Sequence, residues 1–150
     1  MLTSRDRQVL TWIQDYKAIT VDQASTLFFN NSYESARRRL KQLEQMELLE
    51  SSTSVVLNNK FYFDNRPISD HNLLVLEFIK VIKKHGCELI DLKIQPSYLN
   101  DKIRPDARIV FSYLNNVYFI LLEVDYTHYT SNIKMKKYEE LYRTGELQEE

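Results

Sequence analysis

Apolar residues recur at helical spacing in three short segments at the start of the chain. The first segment follows Thr3 and Ser4, either of which can cap a helix, the second follows Thr20, and the third follows Ser32. The apolar positions of the three segments are Val9, Leu10, Ile13 and Tyr16; Val21, Ala24, Leu27 and Phe28; and Tyr33, Ala36, Leu40, Leu43 and Met46. This pattern predicts three consecutive α-helices.

The pattern changes after Leu49. Two β-rich runs, Val55–Leu57 and Lys60–Phe63, flank the polar pair Asn58-Asn59, which is typical of a β-hairpin. Three helices followed by a hairpin is the order of a winged helix-turn-helix. We therefore expect such a domain over residues 1–63, with a boundary between Asp64 and Pro67.

The second half predicts a different module over residues 68–150. An amphipathic helix is predicted at Ile68–His85, followed by three strands at Cys87–Ile94, Arg104–Tyr113 and Val117–Asp125, and by a basic helix at Ser131–Tyr142. The order of these elements is α-β-β-β-α. The expected fold class of the whole chain is α+β.

Composition excludes several kinds of site. The 150 residues contain only one cysteine, Cys87, so the chain has no internal disulfide and no multi-cysteine metal site. With only two glycines there is no Gly-rich phosphate loop, and the three histidines lack ligand spacing. No apolar run is long enough to cross a bilayer and no signal peptide is recognisable, so we expect a cytoplasmic protein without a membrane partner.

The net charge of −1 is uninformative, but charge is concentrated on the third helix. Four basic residues and one acid between Tyr33 and Lys41 give this segment a local charge of +3. A recognition helix lies in the major groove of double-stranded DNA, where basic side chains bind phosphates or guanine edges. The predicted DNA-binding residues are Tyr33, Ser35, Arg37, Arg38, Arg39, Lys41 and Lys60. The alternative is a solvated helix face paired with Glu34 or Glu44, in a domain that binds protein.

Several segments resemble the replication-relaxation family of bacterial plasmids, integrative elements and phages. They are Leu2–Asp6, Ile19–Gln23, Ala36–Leu43, Arg104–Ala107, Phe119–Asp125 and Lys136–Tyr138. The resemblance implies a DNA-binding protein that assists plasmid replication, relaxation or conjugative transfer, or transcriptional control. It also implies a relaxase or replication protein as a partner. The chain stops where the family has another strand, which suggests a truncated or inactive second module.

Pro105-Asp106 and Glu123-Val124-Asp125 also look like the core of restriction-endonuclease-like nucleases. In such a core Asp106, Glu123 and Asp125 would hold Mg²⁺, and Lys134 and Lys136 would complete a catalytic site. Asp125 stands where these nucleases have a lysine, so we expect metal binding without efficient cleavage. The alternative is a cluster of salt bridges without activity.

The register of the last two strands can be predicted from the turn between them. A two-residue turn at Asn115-Asn116 places Arg108 opposite Glu123 and Asp106 opposite Asp125, on one face of the sheet.

The basic third helix predicts a sequence-specific DNA-binding protein, acting as a homodimer because such proteins read two-fold sites. The family resemblance implies that it acts on a mobile element. Two alternatives remain, a metal-dependent nuclease and a protein-interaction or dimerisation module.

Overall fold

The chain is described by a computed structural model that covers residues 1–124 and 132–149 and divides into two compact units, Met1–Gly86 and Cys87–Glu150. The described residues form five α-helices and two three-stranded antiparallel sheets, which confirms a mixed α+β class. Within these residues no helix combines the length and apolar character needed to span a membrane.

The first unit contains four helices and one sheet. Its elements are α1 (Ser4–Tyr16), β1 (Ala18–Thr20), α2 (Val21–Phe28), α3 (Tyr33–Gln45), β2 (Glu50–Ser54), β3 (Asn59–Phe63) and α4 (Asp70–Lys84). The strand order is β1-β3-β2. Thr3, Thr20 and Ser32 each accept a hydrogen bond from a backbone N–H of the first helical turn, which confirms the predicted helix starts.

The β2–β3 hairpin differs from the prediction in where its first strand lies. The polar segment Glu50–Ser54 forms β2, and the apolar run Val55–Leu57 lies in the turn. Ser54 pairs with Asn59, and its hydroxyl accepts the N–H of Leu57 and donates to Asp70. These bonds close the turn early, and β2 stays polar because most of its side chains face solvent.

Helix α4 packs onto the first unit, so this unit extends to Gly86 rather than ending at the predicted boundary. Leu73 lies in a core cluster with Ala18, Phe61 and Phe63. The Gln23 amide donates to the backbone oxygen of Leu73 (3.4 Å) and to the Glu77 carboxylate (2.9 Å). The sequence placed this helix in the second module because its amphipathic pattern does not identify the surface that it covers.

The second unit contains β4 (Glu88–Ile94), β5 (Ala107–Tyr113), β6 (Asn116–Leu122), α5 (Asn132–Thr144) and a short 3₁₀ helix (Glu146–Glu149). Its sheet has the order β4-β5-β6. A separate core forms around Tyr98, Ile103 and Leu141.

The predicted register of the β5–β6 hairpin is wrong by two residues. Tyr113 pairs with Asn116, and the turn is Leu114-Asn115 rather than Asn115-Asn116. Both turn residues have positive φ, 49° and 66°, the conformation that tight two-residue hairpin turns require. As a result Arg108 lies opposite Leu121 and not opposite Glu123.

Candidate nucleic-acid interface

Helix α3 is the centre of the candidate interface. Ala36, Leu40 and Leu43 are fully buried and fix its inner face against the rest of the first unit. Packing of this face leaves the opposite face in solvent, where Tyr33, Ser35, Arg37, Arg38 and Lys41 are all exposed. The apolar spacing of the sequence therefore determines which side chains a ligand could meet.

Arg39 does not share that solvent face, because it is bound to a buried carboxylate of α1. Its Nε lies 2.8 Å from Asp6 Oδ1 and its Nη2 lies 2.6 Å from Asp6 Oδ2. The hydrogen bond from Arg39 outweighs burial and lowers the pKa of Asp6 to about 2. The structure therefore gives Arg39 a role in joining α1 to α3.

Arg37 has a partner one helical turn away. Its Nε and Nη2 lie 3.0 Å and 2.5 Å from the two carboxylate oxygens of Glu34, and this hydrogen bonding lowers the pKa of Glu34. Both side chains are exposed to solvent, where such a pair contributes little to stability. Arg37 can therefore exchange Glu34 for a phosphate at small cost.

Arg38 and Lys41 are the cations most available for a ligand. Both are exposed, and neither forms a hydrogen bond or an ion pair with any residue that the structure describes. With the charge of Asp6 counted, the local charge of the Tyr33–Lys41 segment falls from +3 to +2, and this positive charge remains on the solvent face.

The hairpin contributes Lys60 and Asn59. Lys60 Nζ lies 5.4 Å from the centre of the Tyr62 ring and 4.0 Å from a carboxylate oxygen of Glu44. The Asn59 amide donates to the hydroxyl of Tyr33 and accepts the backbone N–H of Asp22, each at 3.2 Å. The starts of α2, α3 and β3 therefore converge around Asn59.

Sequence reasoning missed Asn59 and Arg5 as parts of this surface. The polar Asn58-Asn59 pair indicates only a turn, and Arg5 lies on a different helix. Arg5 and Arg38 line one surface cavity of about 700 Å³ between α1 and α3. The spacing of residues along α3 does not predict that Arg5 of α1 lines the same cavity.

The acidic residues of the second unit are placed differently from the prediction. Asp106 and Glu123 lie at the same end of the hairpin, directly beyond the Ala107–Leu122 pair. The Asp106 carboxylate accepts the N–H of Val124 at 2.6 Å, and the Glu123 carboxylate accepts the hydroxyl hydrogen of Tyr138.

The prediction that Arg108 lies directly opposite Glu123 is wrong. Arg108 is almost fully buried, and its Nη2 lies 2.6 Å from Asp91 on the neighbouring strand β4. The shifted register explains the change, because it brings Leu121 rather than Glu123 beside Arg108.

Asp125 and the side chain of Lys134 lie outside the described residues, and Lys136 is exposed on α5. In residues 1–124 and 132–149, no group of three His, Cys, Asp or Glu side chains is placed to hold a metal ion. The magnesium site that the sequence predicts therefore stays a prediction.

Comparison with protein families, characterised proteins and solved structures finds no match to this chain. The resemblance to the replication-relaxation family stays an expectation from the sequence.

Proposed function

We propose that the first unit is a winged helix-turn-helix domain that binds double-stranded DNA through α3. The observation that carries the proposal is the solvent face of α3, where Arg38 and Lys41 have no ion-pair partner among the described residues. The element order α1-β1-α2-α3-β2-β3 and the strand order β1-β3-β2 support it, since they present α3 beside a hairpin.

In this proposal α3 enters the major groove with its N-terminal part toward the base edges. Tyr33 and Ser35 lie in that first turn and carry the hydroxyls that read bases. Arg37, Arg38 and Lys41 bind phosphates, which provides affinity and sets the register on the duplex. Lys60 adds a phosphate contact from the hairpin.

We infer the wider role from the sequence resemblance alone. The protein would bind a site on a mobile element and assist its replication, its relaxation or transfer, or its transcriptional control. A homodimer would suit a two-fold DNA site. Light scattering with and without DNA tests this inference, and a monomeric mass in both cases would contradict it.

Binding to fragments of bacterial and plasmid DNA tests the main proposal. Fragments retained by the wild-type protein are sequenced, and one recovered site is then used for titration by fluorescence anisotropy. Replacing Arg38 and Lys41 together with Ala should weaken binding at least about a hundredfold, since each of the two charged contacts contributes roughly 1.5–3 kcal/mol. The matched control is Arg66→Ala, which removes an exposed arginine from the segment before α4. Equal loss in both variants, or no retained DNA, would refute the proposal.

A metal-dependent nuclease is the second candidate. It is favoured by the position of Asp106 and Glu123 at the same end of the β5–β6 hairpin. Cleavage of plasmid DNA that needs Mg²⁺ and is lost in Glu123→Gln would support it.

A further inference from the structure

We propose that the cavity between the start of α1 and α3 holds a backbone phosphate of the bound DNA, with Arg5 and Arg38 as its ligands. This inference rests on the proposed function and deepens it, because it assigns a phosphate contact to a helix outside the helix-turn-helix pair. The cavity measures about 700 Å³. Both arginines line it together with Ser35 and Gln42, and so do Phe29 and the paired Asp6 and Arg39. The three arginines outnumber the one acid, so the lining carries a net positive charge.

The two arginines are available for an anion. Neither forms an ion pair with a carboxylate in the part of the chain that the structure describes. The guanidinium carbon of Arg5 lies 4.8 Å from the centre of the Phe29 ring, and Phe29 is itself buried. A guanidinium held over an aromatic ring can still present its N–H groups to an oxyanion, so this position suits a phosphate ligand.

Asp6 and Arg39 position this pair of ligands. Asp6 directly follows Arg5 in α1, and Arg39 directly follows Arg38 in α3. Two hydrogen bonds of 2.8 Å and 2.6 Å connect the Asp6 carboxylate with the Arg39 guanidinium. The ion pair therefore fixes the two helices side by side and holds Arg5 and Arg38 at one cavity. Arg39 is a positioning residue and not a phosphate ligand.

The cavity lies on the side of α3 that faces away from the hairpin. Glu44, two helical turns after Arg37 and on the same face, accepts a hydrogen bond of 2.5 Å from Ser51 of β2. Arg37 therefore lies toward the hairpin, together with Lys60. Arg38 lies toward α1 and lines the cavity with Arg5.

Cations therefore lie on both sides of α3, which suits a helix placed between the two phosphate strands of the major groove. The groove is roughly 12 Å wide and is bordered by two phosphate strands, and a helix with its side chains is about 10–12 Å across. Arg37 and Lys60 face one strand, and the Arg5–Arg38 cavity faces the other. A phosphate in the cavity would fix the depth and the tilt of α3.

The first test compares arginine variants on one duplex recovered with the wild-type protein. Arg5→Gln and Arg38→Gln are each expected to weaken binding about tenfold. The double variant should lose less than the product of the two single losses, because both side chains hold the same phosphate. In the double variant, the slope of log affinity against log salt concentration should be smaller by the contribution of about one phosphate contact. The matched control is Arg7→Gln, an exposed arginine of α1 outside the cavity, which should bind like wild type.

The second test replaces phosphates of the duplex one at a time with neutral methylphosphonates. One position should weaken binding of the wild-type protein and of Arg7→Gln, yet have no further effect on the double variant. If no position behaves in this way, or if the double variant binds like the control, the cavity proposal is overturned while DNA binding stands. If the wild-type protein binds no duplex at all, the proposed function fails first and the cavity proposal fails with it.

Discussion

Neighbouring arginines of α3 have different physical roles, although the sequence presents them as one basic run. Arg38 is exposed without an ion-pair partner in the described part of the chain, whereas Arg39 is bound to a buried carboxylate. Helical spacing identified the basic helix and its buried face. It could not separate these two residues, because Asp6 lies 33 positions away in sequence and its contact depends on how α1 packs on α3.

Arg39→Ala should therefore reduce stability, while Arg38→Ala should reduce only DNA binding. Removing Arg39 leaves the buried Asp6 charge without its ion pair. The lowered pKa of Asp6, about 2 against 3.8, corresponds to roughly 2 kcal/mol of unfolding free energy. Urea denaturation measures this loss. Arg38→Ala should change the unfolding free energy by less than about 0.5 kcal/mol, as for an ordinary surface substitution. A loss of similar size in both variants would contradict the assignment.

The same ion pair predicts a dependence of stability on acid. Because folding lowers the pKa of Asp6, its contribution is fully present above about pH 4 and is lost as the pH falls through about 2. The difference in unfolding free energy between wild type and Asp6→Asn should therefore be constant from pH 7 to 5 and shrink toward pH 2. Urea titrations at closely spaced pH values provide the measurement. A difference that does not change between pH 5 and 2 would rule out Asp6 as its source.

At the scale of elements, caps and apolar periodicity predicted the helices well. Thr3, Thr20 and Ser32 act as caps because each places a hydroxyl at a free backbone N–H, which is a local interaction that the sequence reveals. Strands were harder to place. β1 is only three residues long and was not predicted, and the apolar run Val55–Leu57 was assigned to a strand although it lies in the turn. Strand positions depend on partners across the sheet.

The packing of α4 predicts how much of the chain is needed for the first unit to fold. A fragment of residues 1–86 should be folded, whereas a fragment of residues 1–66 should be largely unfolded. Helix α4 buries Leu73, Val75, Leu76, Ile79 and Ile82, and without it the cluster around Phe61 and Phe63 is exposed. Circular dichroism melting of the two fragments tests this expectation. A cooperative transition of the shorter fragment near that of the longer one would show that α4 is dispensable.

The contact between α2 and α4 also contains charged residues that single substitutions can probe. Burial alone would lower the pKa of Lys80, but its hydrogen bonds and charge interactions with Glu77 and Asp22 outweigh this and raise it. Glu77→Ala removes an acceptor of both Lys80 and Gln23, so we expect a loss of about 1–3 kcal/mol in unfolding free energy. Urea denaturation measures it. Val81→Ala, at an exposed position of the same helix, is the comparison, and an equal loss of unfolding free energy there would show that the Glu77 contacts are not the cause.

For the whole molecule, the two proposed activities are DNA binding by the first unit and DNA cleavage by the second, and cleavage can be tested separately. The sequence placed Asp106 and Glu123 near each other, and the structure confirms that they lie at one end of the same hairpin. It also shows what the sequence could not, namely that each carboxylate has a hydrogen-bond donor, from Val124 and Tyr138 respectively. The predicted register failed because the residues that adopt positive φ in the turn are one position earlier than the Asn-Asn pair suggests.

We therefore expect supercoiled plasmid DNA to remain intact with the wild-type protein in the presence of Mg²⁺ or Mn²⁺. Each carboxylate already accepts a hydrogen bond within the protein, and no third acidic side chain joins the two among the described residues. Asp125 also stands where a catalytic lysine would be needed to stabilise the transition state. DNA affinity should be equal in EDTA and in Mg²⁺ at matched ionic strength, because the proposed contacts on α3 are cationic side chains and hydroxyls. Agarose gels and anisotropy titrations measure the two quantities. Rapid cutting that is lost in Glu123→Gln, but retained in the double variant of Arg38 and Lys41, would assign the activity to the second unit and make the nuclease the better description.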